Sequence, residues 1–115
     1  MGAIQISQVQ GHIPVTVFQL PERVNLGNFA ELEEAAKEAY EDGMRDLIVD
    51  LSRTISLTSI GIRALVVIHK MLATDGKKHL KIAAPMPYLR EMLDISGVTQ
   101  YLEVYNTVDE AVASF

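Results

Sequence analysis

No cysteine occurs anywhere in the 115 residues. Disulfides, thiolate nucleophiles and Cys-bearing zinc or iron–sulfur sites are thereby excluded, and a reducing cytosol is the compartment that fits. Glycine and proline are sparse, at seven and four residues, beside 49% hydrophobic and 22% charged residues. That is the composition of a folded globular chain. Long apolar runs are also missing. The most apolar stretch, residues 60–73, is interrupted by Arg63 and Lys70 and falls short of the roughly 20 residues that a bilayer span needs. The first ten residues lack the basic start and apolar block of a signal peptide. A cytoplasmic, soluble protein is the expectation. Basic residues are the minority, ten against fifteen acidic, for a net charge of −5. A surface of that sign repels phosphate backbones and anionic lipid, so neither nucleic acid nor a membrane is an expected partner. In the plainest reading the charge serves solubility.

Catalytic patterns are missing as well. His12, His69 and His79 stand on three different predicted elements, and none is followed by a histidine or carboxylate three or four residues on. No metal site is expected. Thr58-Ser59-Ile60-Gly61 lacks the glycine two positions before the serine that a nucleophile elbow requires. The glycines stand singly, so no phosphate-cradling loop is present. Enzyme chemistry has no support in the sequence, and no cofactor is expected.

What is present is an alternation of strands and helices. Ile4, Ile6 and Val9 suit a first strand, and the β-branched run Ile13, Val15, Thr16, Val17 a second, with a hairpin at Gly11 and Pro14 where an edge would tolerate it best. Asn28 followed by Glu31 reads as a capping box. Phe29, Leu32, Ala35, Ala36, Ala39 and Tyr40 continue at helical spacing up to Gly43. Leu47, Ile48 and Val49 form one block, the mark of a strand covered on both faces. A second helix is predicted over residues 59–74, a strand over 80–84, and a third helix over 88–96 ending at Gly97. Val104 and Tyr105 suit a last strand, and Thr107 with Glu110 caps a final short helix. The order ββαβαβα(β)α predicts one α/β domain over residues 1–115, with a mixed sheet of four or five strands and about four helices.

The informative stretch is Asp50-Leu51-Ser52-Arg53-Thr54-Ile55-Ser56-Leu57-Thr58-Ser59-Ile60-Gly61-Ile62-Arg63-Ala64-Leu65. A buried strand ends, a loop turns, and a helix starts with two hydroxyls side by side. Read plainly, Thr58 is an N-cap and Ser59 a first-turn residue. A phosphate placed there would meet free backbone N–H groups and the positive end of the helix dipole. On the following helix, Ile60, Ala64, Leu65, Ile68, Met71 and Leu72 share one arc that should pack on the sheet. Ile62, Val66, His69 and Ala73 occupy a shoulder, and Arg63 and Lys70 the outer arc. The shoulder is either covered by a neighbouring loop or turned toward a partner.

This stretch resembles the signature of STAS-domain anti-sigma factor antagonists, in which Asp-Leu-Ser at a strand end leads to Asp-Ser-Ser-Gly-Leu at a helix start. Pro87-Tyr88-Leu89-Arg90-Glu91-Met92-Leu93-Asp94-Ile95-Ser96-Gly97-Val98, Tyr101-Leu102-Glu103-Val104-Tyr105 and Val108-Asp109-Glu110-Ala111 resemble the family's third helix, last strand and closing helix. The resemblance implies a STAS fold and a regulatory protein that docks on an anti-sigma factor serine kinase, with phosphorylation at Ser59, or at Thr58 as the alternative. It places the partner surface at Asn25, Thr58, Ser59, Ile62, Arg63, Val66 and His69. Where the family has an aspartate before the phosphoserine this chain has Thr58, and its second serine is Ile60. The family's Gly-x-Leu-Asp turn reads Glu22-Arg23-Val24-Asn25. The neutral Asn25 and Thr58 keep open a non-switching scaffold subunit of a signalling or transport complex. A small-ligand or nucleotide sensor and a homodimer also stay open.

Overall fold

Leu47, Ile48 and Val49 are fully buried in the middle of a five-stranded sheet. Unbroken apolar side chains suit such a strand because alternate residues point into different layers, both of them dry. The computed structural model describes residues 4–115. The chain runs β1 (Gln5–Gln10), β2 (Pro14–Gln19), β3 (Arg23–Val24), α1 (Phe29–Glu41), β4 (Leu47–Asp50) and β5 (Ser56–Leu57). It continues through α2 (Ser59–Leu72), β6 (Leu80–Ala83), α3 (Pro87–Ser96), a 3-10 turn (Val98–Gln100), β7 (Glu103–Tyr105) and α4 (Val108–Ala113). The main sheet is ordered β1-β2-β4-β6-β7, with β1 antiparallel to β2 and the other neighbours parallel.

The larger apolar layer joins Phe18, Leu32, Ala36, Leu65, Ile68, Leu89 and Leu93, so α1, α2 and α3 cover one face. The other face packs Val15, Val17, Ile48 and Ala83 against Ala111 and Val112 of α4. Each of the larger side chains among them contributes about 1.5–3 kcal/mol through burial, which conformational entropy largely offsets.

The predicted α/β order holds, with two additions. β3 and β5 form a parallel two-stranded ribbon of their own, pairing Arg23 with Ser56 and Val24 with Leu57. Two residues are too few to display any period. Two local expectations are corrected. Pro14 opens an inner strand, not an edge. Its missing N–H would point toward β4, whose pairing starts only at Thr16, so no ladder bond is lost. Asn28 precedes α1 but makes no side-chain cap. Its Oδ1 accepts from Asn25 N–H at 2.8 Å and its Nδ2 donates to the Arg23 carbonyl at 2.7 Å, so the amide ties down the β3–α1 loop. At α4 the expected cap is present: Glu110 N–H donates to Thr107 Oγ1 at 3.0 Å.

Candidate functional site

The β3–β5 ribbon builds the site. Pairing Val24 with Leu57 sets the loop after β3 (residues 25–28) beside the start of α2. Gly61 makes the approach possible: a Cβ there would lie 2.8 Å from Leu57 Cδ1 and 3.2 Å from the Val24 carbonyl oxygen, closer than side chains tolerate.

Thr58 is bound to the same carbonyl twice. Its N–H donates to Val24 O at 3.0 Å and its hydroxyl at 3.3 Å. The hydroxyl therefore does not cap α2, contrary to the plain reading of the sequence. The first bond into the helix runs from Ile62 N–H to Thr58 O. The N–H groups of Ser59, Ile60 and Gly61 have no partner among the described residues. Ser59 is exposed, and no hydrogen bond of its hydroxyl is recorded among the described residues. An uncapped helix start with the positive end of its dipole facing solvent favours anions.

Asn25 is half-buried and its side chain is spent locally, accepting Gly27 N–H at 2.9 Å. Its carbonyl accepts from Asn28 and Phe29 N–H. This wound loop presents Leu26, 74% exposed, a residue the sequence reading passed over. An apolar side chain between Asn25 and Gly27, where a turn normally carries polar groups, was the available signal.

On α2 the observed arc is wider than the predicted one. Ile62, expected on the partner side, is buried in the core cluster. On the same shoulder seven residues later, the His69 ring stacks on Tyr101 at 6.5 Å between centroids. That side of α2 thus faces the chain that follows α3. Val66 is half-buried and packs on the core. His69 is half-buried too, and its Nδ1 has no partner among the described residues. Burial, and then Lys78 and Lys70, push its pKa below the ordinary value. Ile60 and Met71, expected in the core, are only partly buried. The exposed strip is Ser59, Arg63, Val67 and Lys70, with Val67 44% exposed. It follows from the spacings i, i+4, i+8 and i+11. Arg63 makes no ion pair among the described residues. Helix α2 contains no acidic residue, which makes this strip cationic in a chain of net charge −5.

Past the other end of α2 a histidine is held by two carboxylates. His79 Nδ1 lies 2.6 Å from Asp46 Oδ1, and its Nε2 is 2.8 Å from Asp75 Oδ2. Hydrogen bonding to Asp46, then Asp75, raises the His79 pKa, and the bond to His79 lowers that of Asp75. Asp75 stands four residues before His79, a direction the histidine reading did not take. The imidazole bridges two carboxylates through both nitrogens, and no group of metal-ligating side chains is found among the described residues. No described helix is long and apolar enough to cross a membrane.

With this geometry in place, the relatives can be compared. BtrV of Bordetella bronchiseptica, whose name places it among the anti-sigma factor antagonists, is 29% identical over 80% of this chain and 78% of its own length. A crystal structure of an anti-sigma factor antagonist from Mycobacterium paratuberculosis has a TM-score of 0.85 at 21% identity, covering 99% of this chain and 93% of that one. The Bacillus cell fate determinant SpoIIAA in its phosphorylated form has a TM-score of 0.72 at 17% identity, covering 97% and 98%. At those identities the structures establish the fold. The STAS domain family matches residues 4–111, and the chain belongs to that family.

Proposed function

We propose that this protein is an anti-sigma factor antagonist that docks through the start and exposed strip of α2 on an anti-sigma factor serine kinase, and that phosphorylation of Ser59 releases it. The observation that carries the reading is the exposed Ser59 at a helix start whose first three N–H groups have no partner among the described residues. SpoIIAA, a structural neighbour, has been solved in a phosphorylated form, and the names of the relatives supply the partner class.

Charge gives the switch its sign. Arg63 and Lys70 offer a cationic strip that complements an acidic partner surface. A phosphoserine carries about −1.5 to −2 charges. Arg63, one turn beyond Ser59, is placed to pair with it. The modification would remove a cation from the docking surface and add an anion. A loss of about 4 kcal/mol would weaken binding roughly a thousandfold. The exposed Leu26, on the loop beside the start of α2, and Val67, on its outer strip, add apolar surface to the charged one, as an interface with a dry centre and a charged rim requires.

The test is incubation with the purified cognate kinase and ATP, read by intact mass. One added phosphate that is absent in Ser59→Ala supports the reading. Modification confined to Thr58 moves the acceptor by one residue. A second reading, a scaffold subunit without a switch, is favoured by Asn25, whose side chain is consumed by its own loop. That reading predicts no phosphate and binding indifferent to Ser59.

A further inference from the structure

Strand β1 ends the sheet with no strand beyond it among the described residues. Thr16 N–H donates to Asp46 O and Leu20 N–H to Asp50 O. Even-numbered residues of β2 therefore turn their backbone toward β4 and odd-numbered ones toward β1. With Val17 paired to Ser7, the backbone of Gln5, Ser7 and Val9 points inward. The N–H and C=O groups of Ile6, Gln8 and Gln10 point out of the sheet. Folded proteins usually guard such an edge with charge, proline or brevity. The opposite edge, β7, has three residues and bears Glu103, paired with Lys81 at 3.3 Å. Residues 4–11 contain neither a charge nor a proline.

A groove of about 630 Å³ runs beside this open edge, floored by Ile6, Gln8 and Thr16 and walled by Ala35, Glu38 and Asp42. The charges around it select the occupant. Glu38 and Asp42 form no ion pair among the described residues. Arg45 also lines the groove, stacked over the Tyr40 ring at 3.9 Å and donating to the Tyr40 and Met44 carbonyls, one cation against the carboxylates of Glu38, Asp42 and Asp46. Asp46 is held by His79. Pairing β1 with β1 of a second copy would set two α1 helices side by side on one face. Each α1 carries five glutamates and one lysine, so that arrangement is repulsive.

We propose that the β1 edge receives an extended segment of a partner protein as a sixth strand, with lysine or arginine on its groove-facing side. Backbone pairing supplies the attachment, and the acidic wall of α1 supplies the selectivity. The place is distinct from the α2 docking surface: it lies where the parallel strands begin, and Ser59 lies where they end.

The probes are two short synthetic peptides, one alternating valine with lysine and the other valine with glutamate. They are titrated into the full chain and followed by amide hydrogen exchange. The lysine peptide should slow exchange at Ile6, Gln8 and Gln10, and the glutamate peptide should bind roughly tenfold or more weakly at low salt. Gln8→Pro removes the central outward N–H and should abolish protection by the lysine peptide. Glu38→Lys with Asp42→Lys, exposed positions in the last turn and at the C-cap of α1, should invert the preference between peptides without disturbing the strand. Equal affinity for both peptides, no added protection at those three amides, or self-association through β1 without peptide would overturn the proposal.

Discussion

At its C-terminal end α2 runs into Asp75 and His79, and the imidazole is gripped on both nitrogens by Asp75 and Asp46. At its N-terminal end the helix starts without a side-chain cap. The Thr58 hydroxyl is turned to the Val24 carbonyl, and the N–H groups of Ser59, Ile60 and Gly61 have no partner among the described residues. One helix thus has a fastened end and an open one. The fastened end holds the helix against the starts of β4 and β6. The open end keeps an anion-favouring position next to a hydroxyl, at the cost of a cap that contributes about 1 kcal/mol in other helices. A stability optimum would close both ends, so the unclosed one is the place to seek function.

The comparison breaks most completely at Gly61, where the open end leans on β3. Gly61→Val would drive its side chain into Leu57 and the Val24 carbonyl and should cost roughly 1–3 kcal/mol. Chemical denaturation measures the loss, and amide shifts at Val24 and Leu57 should localise it to the ribbon. A neutral result would mean that the ribbon does not hold the open end in place.

Val66 and Val67 sharpen the comparison, since adjacent residues should answer differently. Val66 packs on the core and Val67 is 44% exposed. Val66→Asp should lower stability by about 1–3 kcal/mol through a half-buried charge. Val67→Asp should stay within about 0.5 kcal/mol while weakening the partner. Equal losses of stability would show that the exposed strip is misplaced.

The smallest effect belongs to the fastened end. His79 has its folded-state pKa raised by Asp46 and Asp75. Its contribution is therefore complete below the unfolded value of about 6.5 and is lost as pH rises through the folded value. His69, with its pKa lowered chiefly by burial, acts in the opposite sense: its contribution is present above about pH 6.5 and is lost as the pH falls toward the folded value. Urea midpoints against pH should show a decline on the alkaline side that His79→Gln removes. His79→Gln should leave the acid-side loss in place. An unchanged alkaline decline in His79→Gln would contradict the clamp.

The sheet was legible because Leu47, Ile48 and Val49 form a short apolar block of the kind that marks a strand covered on both faces, and the helices because Gly43 and Gly97 end their apolar periods. The open hydroxyl at Ser59 was legible from the stretch 50–65, where a strand end and a helix start sit close together. Ile62 was not. A helical wheel shows which residues share a side but not what stands opposite, and the core that takes in Ile62 is assembled from elements outside any window centred on α2. Asn28 has a capping residue's chemistry but hydrogen-bonds backward to Arg23 and Asn25, because the two-residue strand β3 holds those groups within reach. Half of the His79 clamp was within local reach, since Asp75 stands four residues before it, but Asp46 lies 33 residues away, a separation that no local pattern spans.

The central claim is that the open end of α2 is a phosphate-controlled docking site. Its most direct measurement is the affinity of the anti-sigma factor kinase for the unmodified protein, for the protein phosphorylated by that kinase, and for Ser59→Ala after the same treatment. The account predicts tight binding by the unmodified protein and by treated Ser59→Ala, and a loss of roughly two to three orders of magnitude for the phosphorylated protein. Equal affinity across the three samples, with phosphate confirmed on Ser59 by mass, would contradict it.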